Sequence, residues 1–181
     1  MKIDVLLEPD QTPEQLVELA KLCEQAGIQT MWLQNYVSCR DPFMSLVPAA
    51  LATSRVGLGV CVISPWEMHP VKMANSLLTL QEYSKGRACL VIGGGGEWLA
   101  RLAIEPVKRV RAAREALEML VAMIAPMISD PKSSISRLRR PAACSGSSLR
   151  SEFEQTSSAK SPLLCAGVSR TGRISWSTPG T

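Results

Sequence analysis

Two carboxylates and a run of glycines carry the first chemical signal in this 181-residue chain. Glu8 closes an apolar run at residues 3–7, and Glu97 follows Gly93, Gly94, Gly95 and Gly96 at the end of another, 88–92. If both runs are strands of one parallel sheet, the two carboxylates project from the same C-terminal edge. A pair so placed can deliver a proton, one member being kept protonated by its neighbour or by burial. A second loop, 60–64, leaves a third apolar run, and loops at the C-terminal ends of parallel strands are where α/β folds bind ligands. The residues to inspect are therefore Val60, Cys61, Val62 and Ser64 there, and Gly93, Gly94, Gly95 and Glu97 in the glycine loop. His69 could move protons too, but it stands just before the helix-opening Pro70, where a capping role is the simpler reading.

The glycines invite a nucleotide reading, which their spacing does not favour. A dinucleotide fingerprint would set a third glycine where Trp98 stands, and on the first strand rather than the fourth. No Gly-Lys-Ser/Thr follows. Close approach of backbone to a planar ring, or a simple turn, accounts for the run better.

The elements that position these residues follow a β/α repeat. Runs beginning near 3, 28, 56 and 88 are strand candidates, spaced by about 25 to 32 residues as β/α units are. The third and fourth are near-continuously apolar rather than alternating, as in parallel strands covered on both faces. Helices are expected over 13–26, 42–53, 70–84 and 106–124. Thr12, Pro13 and Gln15 form a capping box for the first, and Gly27 ends it. In the last, Val107, Val110, Arg114, Leu117, Val121 and Ile124 share one side. Four units in succession fit an open doubly wound sheet or half of an eight-unit barrel. Right-handed crossovers between neighbours give strand order 1-2-3-4 with the helices on one outer side.

Composition divides the chain. Residues 1–125 carry 12 Lys+Arg against 13 Asp+Glu, net −1, whereas 126–181 carry 8 against 3, net +5, with 14 of the 20 serines. The first part is the domain; the second, with neither helical nor strand period, has the composition of a disordered tail. Its basic charge comes with only Phe153 and Trp176 as stacking aromatics, so no nucleic-acid partner is expected. The uncharged runs are too short to span a bilayer, and Lys2, Asp4 and Glu8 interrupt any signal-peptide core, so no membrane partner is expected either. Six cysteines without Cys-x-x-Cys spacing and a single histidine indicate neither zinc nor a disulfide framework, and a cytoplasmic setting follows.

The segment from Leu58 to Arg87 adds a resemblance. Leu58, Gly59, Val62, Pro65, His69, Pro70, Thr79, Leu80, Ser84, Gly86 and Arg87 fall in the order Leu-Gly-x-x-Val-x-x-Pro-x-x-x-His-Pro, Thr-Leu, Ser-x-Gly-Arg. This resembles the bacterial luciferase-like monooxygenase superfamily, most closely its F420-dependent branch, similar to methylene-tetrahydromethanopterin reductase. The likeness covers about residues 1–125. It implies an α/β fold, a truncated TIM-like (β/α) barrel made of the first four β/α units around a parallel sheet, with the C-terminal half missing or frame-shifted. It also implies a cofactor, F420 or alternatively FMN, lying against a bulge in the third strand, often formed by a non-prolyl cis peptide that here matches Cys61–Val62.

The implied cofactor contacts are Gln34, Asn35, Val60, Cys61, Val62, Ser64, Gly93, Gly94 and Gly95, and the implied proton-handling residues are Glu8 and Glu97. Two positions depart from the family. Many relatives place Asp-His where this chain has Gln34 and Asn35, amides that hydrogen-bond a ring edge but cannot act as acid or base at neutral pH. Cys61 replaces a smaller residue. The function implied is hydride transfer between reduced F420 and a small organic substrate, or FMN-dependent monooxygenation. A non-catalytic remnant and an open-sheet nucleotide-binding module are the alternatives. A half-barrel exposes its first and last strand edges, so weak cofactor binding and self-association are also expected.

Overall fold

The computed structural model describes residues 3–129, 164–168 and 174–177. Four strands, β1 (Asp4–Leu7), β2 (Thr30–Gln34), β3 (Gly57–Ile63) and β4 (Ala88–Ile92), pair in parallel in the order 1-2-3-4. Between and after them come α1 (Pro13–Gln25), α2 (Pro42–Ala52), α3 (Pro70–Tyr83), the short α4 (Trp98–Arg101) and α5 (Arg109–Ser129). Helices α1 and α2, α2 and α3, and α3 and α5 pack on one another, forming the single helical layer that the repeat implies. The architecture is α/β, a partial TIM-like barrel.

Two short pieces of the segment expected to be disordered are strands. β5 (Leu164–Val168) pairs antiparallel with β4, and β6 (Ile174–Ser177) pairs antiparallel with β5. The rest of 130–181 lies outside the described residues, and so does most of that expectation.

Register explains where the core sits. Leu7, Leu33, Val60 and Leu90 are cross-strand partners on the helix-facing side, and the last three are essentially fully buried. With Met31, Leu58 and Ile92 they meet Leu16, Ala20, Leu46, Met73, Leu77 and Leu80 from the helices. Partners on the other side are Leu6, Trp32, Gly59 and Cys89. That face is far less covered: Leu6 is 53% exposed, Asp4 and Glu8 are exposed, and Trp32, Gln34, Cys61 and Cys89 are half-buried. A Cβ on Gly59 would run into the Trp32 ring, whose Nε1 donates to Asp4 Oδ2 at 3.3 Å.

The N-terminal ends of the strands are tied by two ionic side chains. Arg87 is buried, and its five N–H groups all donate: Nε to Ser84 O, one terminal nitrogen to Val56 O and Thr53 Oγ1, the other to Ala50 O and Thr53 O, at 2.6–3.0 Å. The Ser-x-Gly-Arg motif is thus a clamp on the C-terminal end of α2. Glu24, from α1, accepts the backbone N–H groups of Ser54, Arg55 and Val56 at 2.9, 2.6 and 3.0 Å and the Ser54 hydroxyl at 3.2 Å. Burial opposes its ionisation, but these donors outweigh it and bring its pKa down to about 2.

The α5 stripe differs from the expected one. Ala113, Ala116, Leu117, Leu120, Met123 and Ile124 are buried, whereas Val110 is 44% exposed and Arg114 reaches out to Glu118 at 2.9 Å. Small alanines let α5 approach α3 closely, and that contact, rather than the bulkiest apolar residues, sets the phase of the helix.

Candidate active site

The C-terminal ends of β1 to β4 gather most of the residues that the sequence singles out. Glu8, just past β1, accepts from Gln34 Nε2 at 2.8 Å. Gln34 ends β2 opposite Cys61 of β3, and the Asn35 N–H donates to Cys61 O at 3.2 Å. The Cys61–Val62 peptide is cis, and the β3–β4 register shifts between Val60 and Ile63, so the expected bulge is present where the resemblance puts it.

The glycine loop meets that bulge. The Gly93 N–H donates to Ile63 O at 2.9 Å, and a Cβ on Gly93 would stand 3.0 Å from Val62 Cγ1. Gly93 and Gly94 are buried, and Gly95 has φ +87°, where any Cβ would collide with Leu99 Cδ1. Val60 is fully buried within the helix-side core.

Ser64 is the residue whose environment asks for something more. It is 0% exposed; its N–H donates to Glu67 Oε2 at 2.7 Å and its carbonyl accepts from the N–H groups of Glu67 and Met68. Its hydroxyl has no hydrogen-bond partner among the described residues. A buried hydroxyl without a partner costs free energy, and a ligand's polar edge would satisfy it. A planar, hydrogen-bonding ring fits this set: amides at Gln34 and Asn35 and a hydroxyl at Ser64 without a partner among the described residues.

His69 and Glu97 take different places. His69 caps α3, its Nδ1 accepting from the Val71 N–H at 3.2 Å, which is the structural role foreseen for it. Glu97 is exposed at the start of α4 and makes no side-chain cap bond there. It lines an open cleft of about 560 Å³ with Leu99, Ile104, Glu105 and Arg109.

Three residues missed by sequence reasoning surround Glu8 and Glu97. The Tyr36 phenol is pushed above its ordinary value, first by burial and then by the Glu8 carboxylate, and the Gln34 amide opposes this. Its ring lies against Trp98 at 5.8 Å between centroids, tilted by 39°, and Arg101 sits 4.1 Å from the Trp98 centroid. Spacing could not have revealed a contact across 62 residues; the only available signal was aromatic residues placed in the loops after two strands.

Comparison with known proteins agrees with this geometry. A model of the luciferase-like monooxygenase family matches residues 1–172, well past the limit near 125 that the sequence motifs suggested. The fold is a partial TIM-like barrel, and the chain belongs to the luciferase-like monooxygenase family. It is 32% identical over 124 residues to the 5,10-methylenetetrahydromethanopterin reductase of Archaeoglobus fulgidus, covering 66% of this chain and 37% of that one. Over 89 residues it is 32% identical to the Methanopyrus kandleri reductase, covering 49% and 26%.

Among solved structures, the coenzyme F420-dependent tetrahydromethanopterin reductase of Methanopyrus kandleri superposes with a TM-score of 0.65 at 24% identity, covering 68% of this chain and 40% of that one. The oxygenating constituent of 3,6-diketocamphane monooxygenase from Pseudomonas putida, in complex with FMN, gives 0.59 at 20%, covering 69% and 40%. The chain therefore spans well under half the length of these relatives.

Proposed function

We propose that the chain is the cofactor-ring half of a luciferase-like oxidoreductase, binding F420 or FMN against the β3 bulge. When bound, such a group supplies hydride transfer or oxygen activation. Gln34 and Asn35 present amide hydrogen-bonding groups to a ring edge, Ser64 offers its buried hydroxyl, and Gly93 lets the glycine loop pack closely on Val62 of the bulge. Glu8, held by Gln34, accepts or returns a proton at the mouth, while Glu97 stands over the neighbouring cleft. The observation that carries the reading is the buried Ser64 hydroxyl beside the bulge, which has no hydrogen-bond partner among the described residues. F420 is favoured over FMN by the likeness to the methanopterin reductases.

Titration of the purified chain with F420 and, separately, FMN, followed by absorbance and fluorescence, tests it. Saturable binding is expected, stronger for F420, in the range of about −4 to −8 kcal/mol that separates millimolar from micromolar affinity. No saturable change with either cofactor while the fold remains intact would leave the non-catalytic remnant as the better description.

A further inference from the structure

The rim of the site holds a cation that the reading above does not use. Arg101 stands four residues after Glu97, a spacing at which glutamate and arginine pair readily along a helix. On α5 the pairs Arg111–Glu115 and Arg114–Glu118, also four apart, do close, at 2.7 and 2.9 Å. Arg101 does not. Its guanidinium lies over the Trp98 ring instead, 4.1 Å from the centroid, and among the described residues it has no carboxylate or other acceptor.

That platform is braced. The Trp98 ring meets the Tyr36 ring at 5.8 Å between centroids. Tyr36 follows β2 and Trp98 follows β4, and β3 lies between those strands, with neighbours spaced by about 5 Å. The ring pair therefore reaches across the end of β3, where the Cys61–Val62 bulge and Ser64 stand.

We propose that Arg101 is a specificity-determining residue that receives the carboxylate of an anionic organic substrate at the mouth of this site. A guanidinium is planar, always charged and weakly hydrated; laid on an indole face, it keeps the N–H groups around its edge free for acceptors. Two of them match the two oxygens of one carboxylate. Holding the group on Trp98 beforehand removes part of the ordering cost that a free arginine meets on binding. Tyr36 and Trp98 are the positioning residues. Glu8 and Glu97 are exposed on the same rim, so one guanidinium there suits a single negative charge better than a doubly charged phosphate. The proposal rests on the reading above for what is done to the substrate, but not for the receptor itself.

Ligand-observed NMR titration of the cofactor-free chain with benzoate, and with benzyl alcohol as its uncharged counterpart, tests the receptor. Benzoate should bind saturably at millimolar concentration, and Arg101→Met should weaken it by about five- to ten-fold while leaving benzyl alcohol unchanged. Arg101→Lys should recover little, because an ammonium lacks the planar fork. Trp98→Leu should act like Arg101→Met although the charge remains, whereas Trp98→Phe, which keeps a ring face, should bind nearly as the parent does. Arg109→Met, which removes a neighbouring cation, should change nothing. Absence of saturable benzoate binding, binding that Arg101→Met leaves intact, or an equal loss in Arg109→Met would overturn the assignment. FMN and riboflavin, which differ in the phosphate alone, separate substrate from cofactor: Arg101→Met should affect both alike. A loss confined to FMN would put Arg101 on the cofactor phosphate and overturn the proposal. If neither flavin binds, the benzoate titration still reads, so the two readings fail separately.

Discussion

The two ends of the parallel sheet are built on opposite terms. At the N-terminal ends of the strands, polar groups are matched: Arg87 places all five of its N–H groups on acceptors, and Glu24 collects three backbone N–H groups and a hydroxyl. At the C-terminal ends the Ser64 hydroxyl is buried without a partner among the described residues, glycines replace side chains, and Glu8 and Glu97 are exposed. The contrast teaches which end the fold depends on and which is kept for a ligand. Groups satisfied within the chain stabilise it; groups left unsatisfied are disposed to take a partner from outside.

The largest effect should come from Arg87. Arg87→Met removes five hydrogen bonds and leaves the Ala50, Thr53 and Val56 carbonyls short of donors, a loss of about 3 to 5 kcal/mol by analogy with breaking a buried ionic network. Urea denaturation should show much of the chain unfolded before denaturant is added. A loss below about 1 kcal/mol would mean that the N-terminal end is not the anchor described.

Next comes Gly95→Ala, on the other side of the comparison. A Cβ there meets Leu99 Cδ1 at a backbone φ of +87°, so about 1 to 3 kcal/mol of destabilisation is expected. The change should be concentrated in the glycine loop and α4, read by amide exchange, with the amides of α2 keeping their protection.

Glu24 sharpens the contrast through pH. Its folded pKa is depressed from 4.5 to about 2, so its contribution is fully present above 4.5 and is lost as pH falls toward 2. Glu24→Gln should flatten the acid side of the stability profile in that window and leave the slope above pH 6 unchanged. An unaltered acid limb would show that the interaction is already present in the unfolded chain.

Much of this frame was legible in the chain itself. Thr12, Pro13 and Gln15 announce α1 because a capping box is a local device, and both of its hydrogen bonds form. The β/α repeat announces the strand order for the same reason: short connections leave few topologies. The cis bond at Cys61–Val62 was legible only through resemblance, since nothing in the local residue types asks for it.

Other features lay beyond reach for a physical reason. Arg87 was visible as a motif residue, but four of its five acceptors lie 31 to 37 residues earlier in the chain, on Ala50, Thr53 and Val56, and only folding brings them together. Tyr36 and Trp98 follow no period, because their contact joins the loop after β2 to α4 rather than lying within one element, whereas Trp98 and Arg101 are an i,i+3 pair inside α4. The pairing of β4 with β5 was hidden by the composition of the segment around it, where serine and arginine mask two five- and four-residue strands.

The contrast between the two ends meets its most direct test at Ser64. Ser64→Ala removes a buried hydroxyl that has no partner among the described residues, so the chain without cofactor should gain roughly 1 kcal/mol of stability. The same substitution should weaken binding of F420 or FMN several-fold, matching the roughly 0.5 to 1.5 kcal/mol of one hydrogen bond. Stability and affinity measured on one preparation, by urea denaturation and cofactor titration, should therefore move in opposite directions. A variant that loses stability while binding the cofactor as tightly as the parent would contradict the account, because Ser64 would then serve the fold and not the ligand.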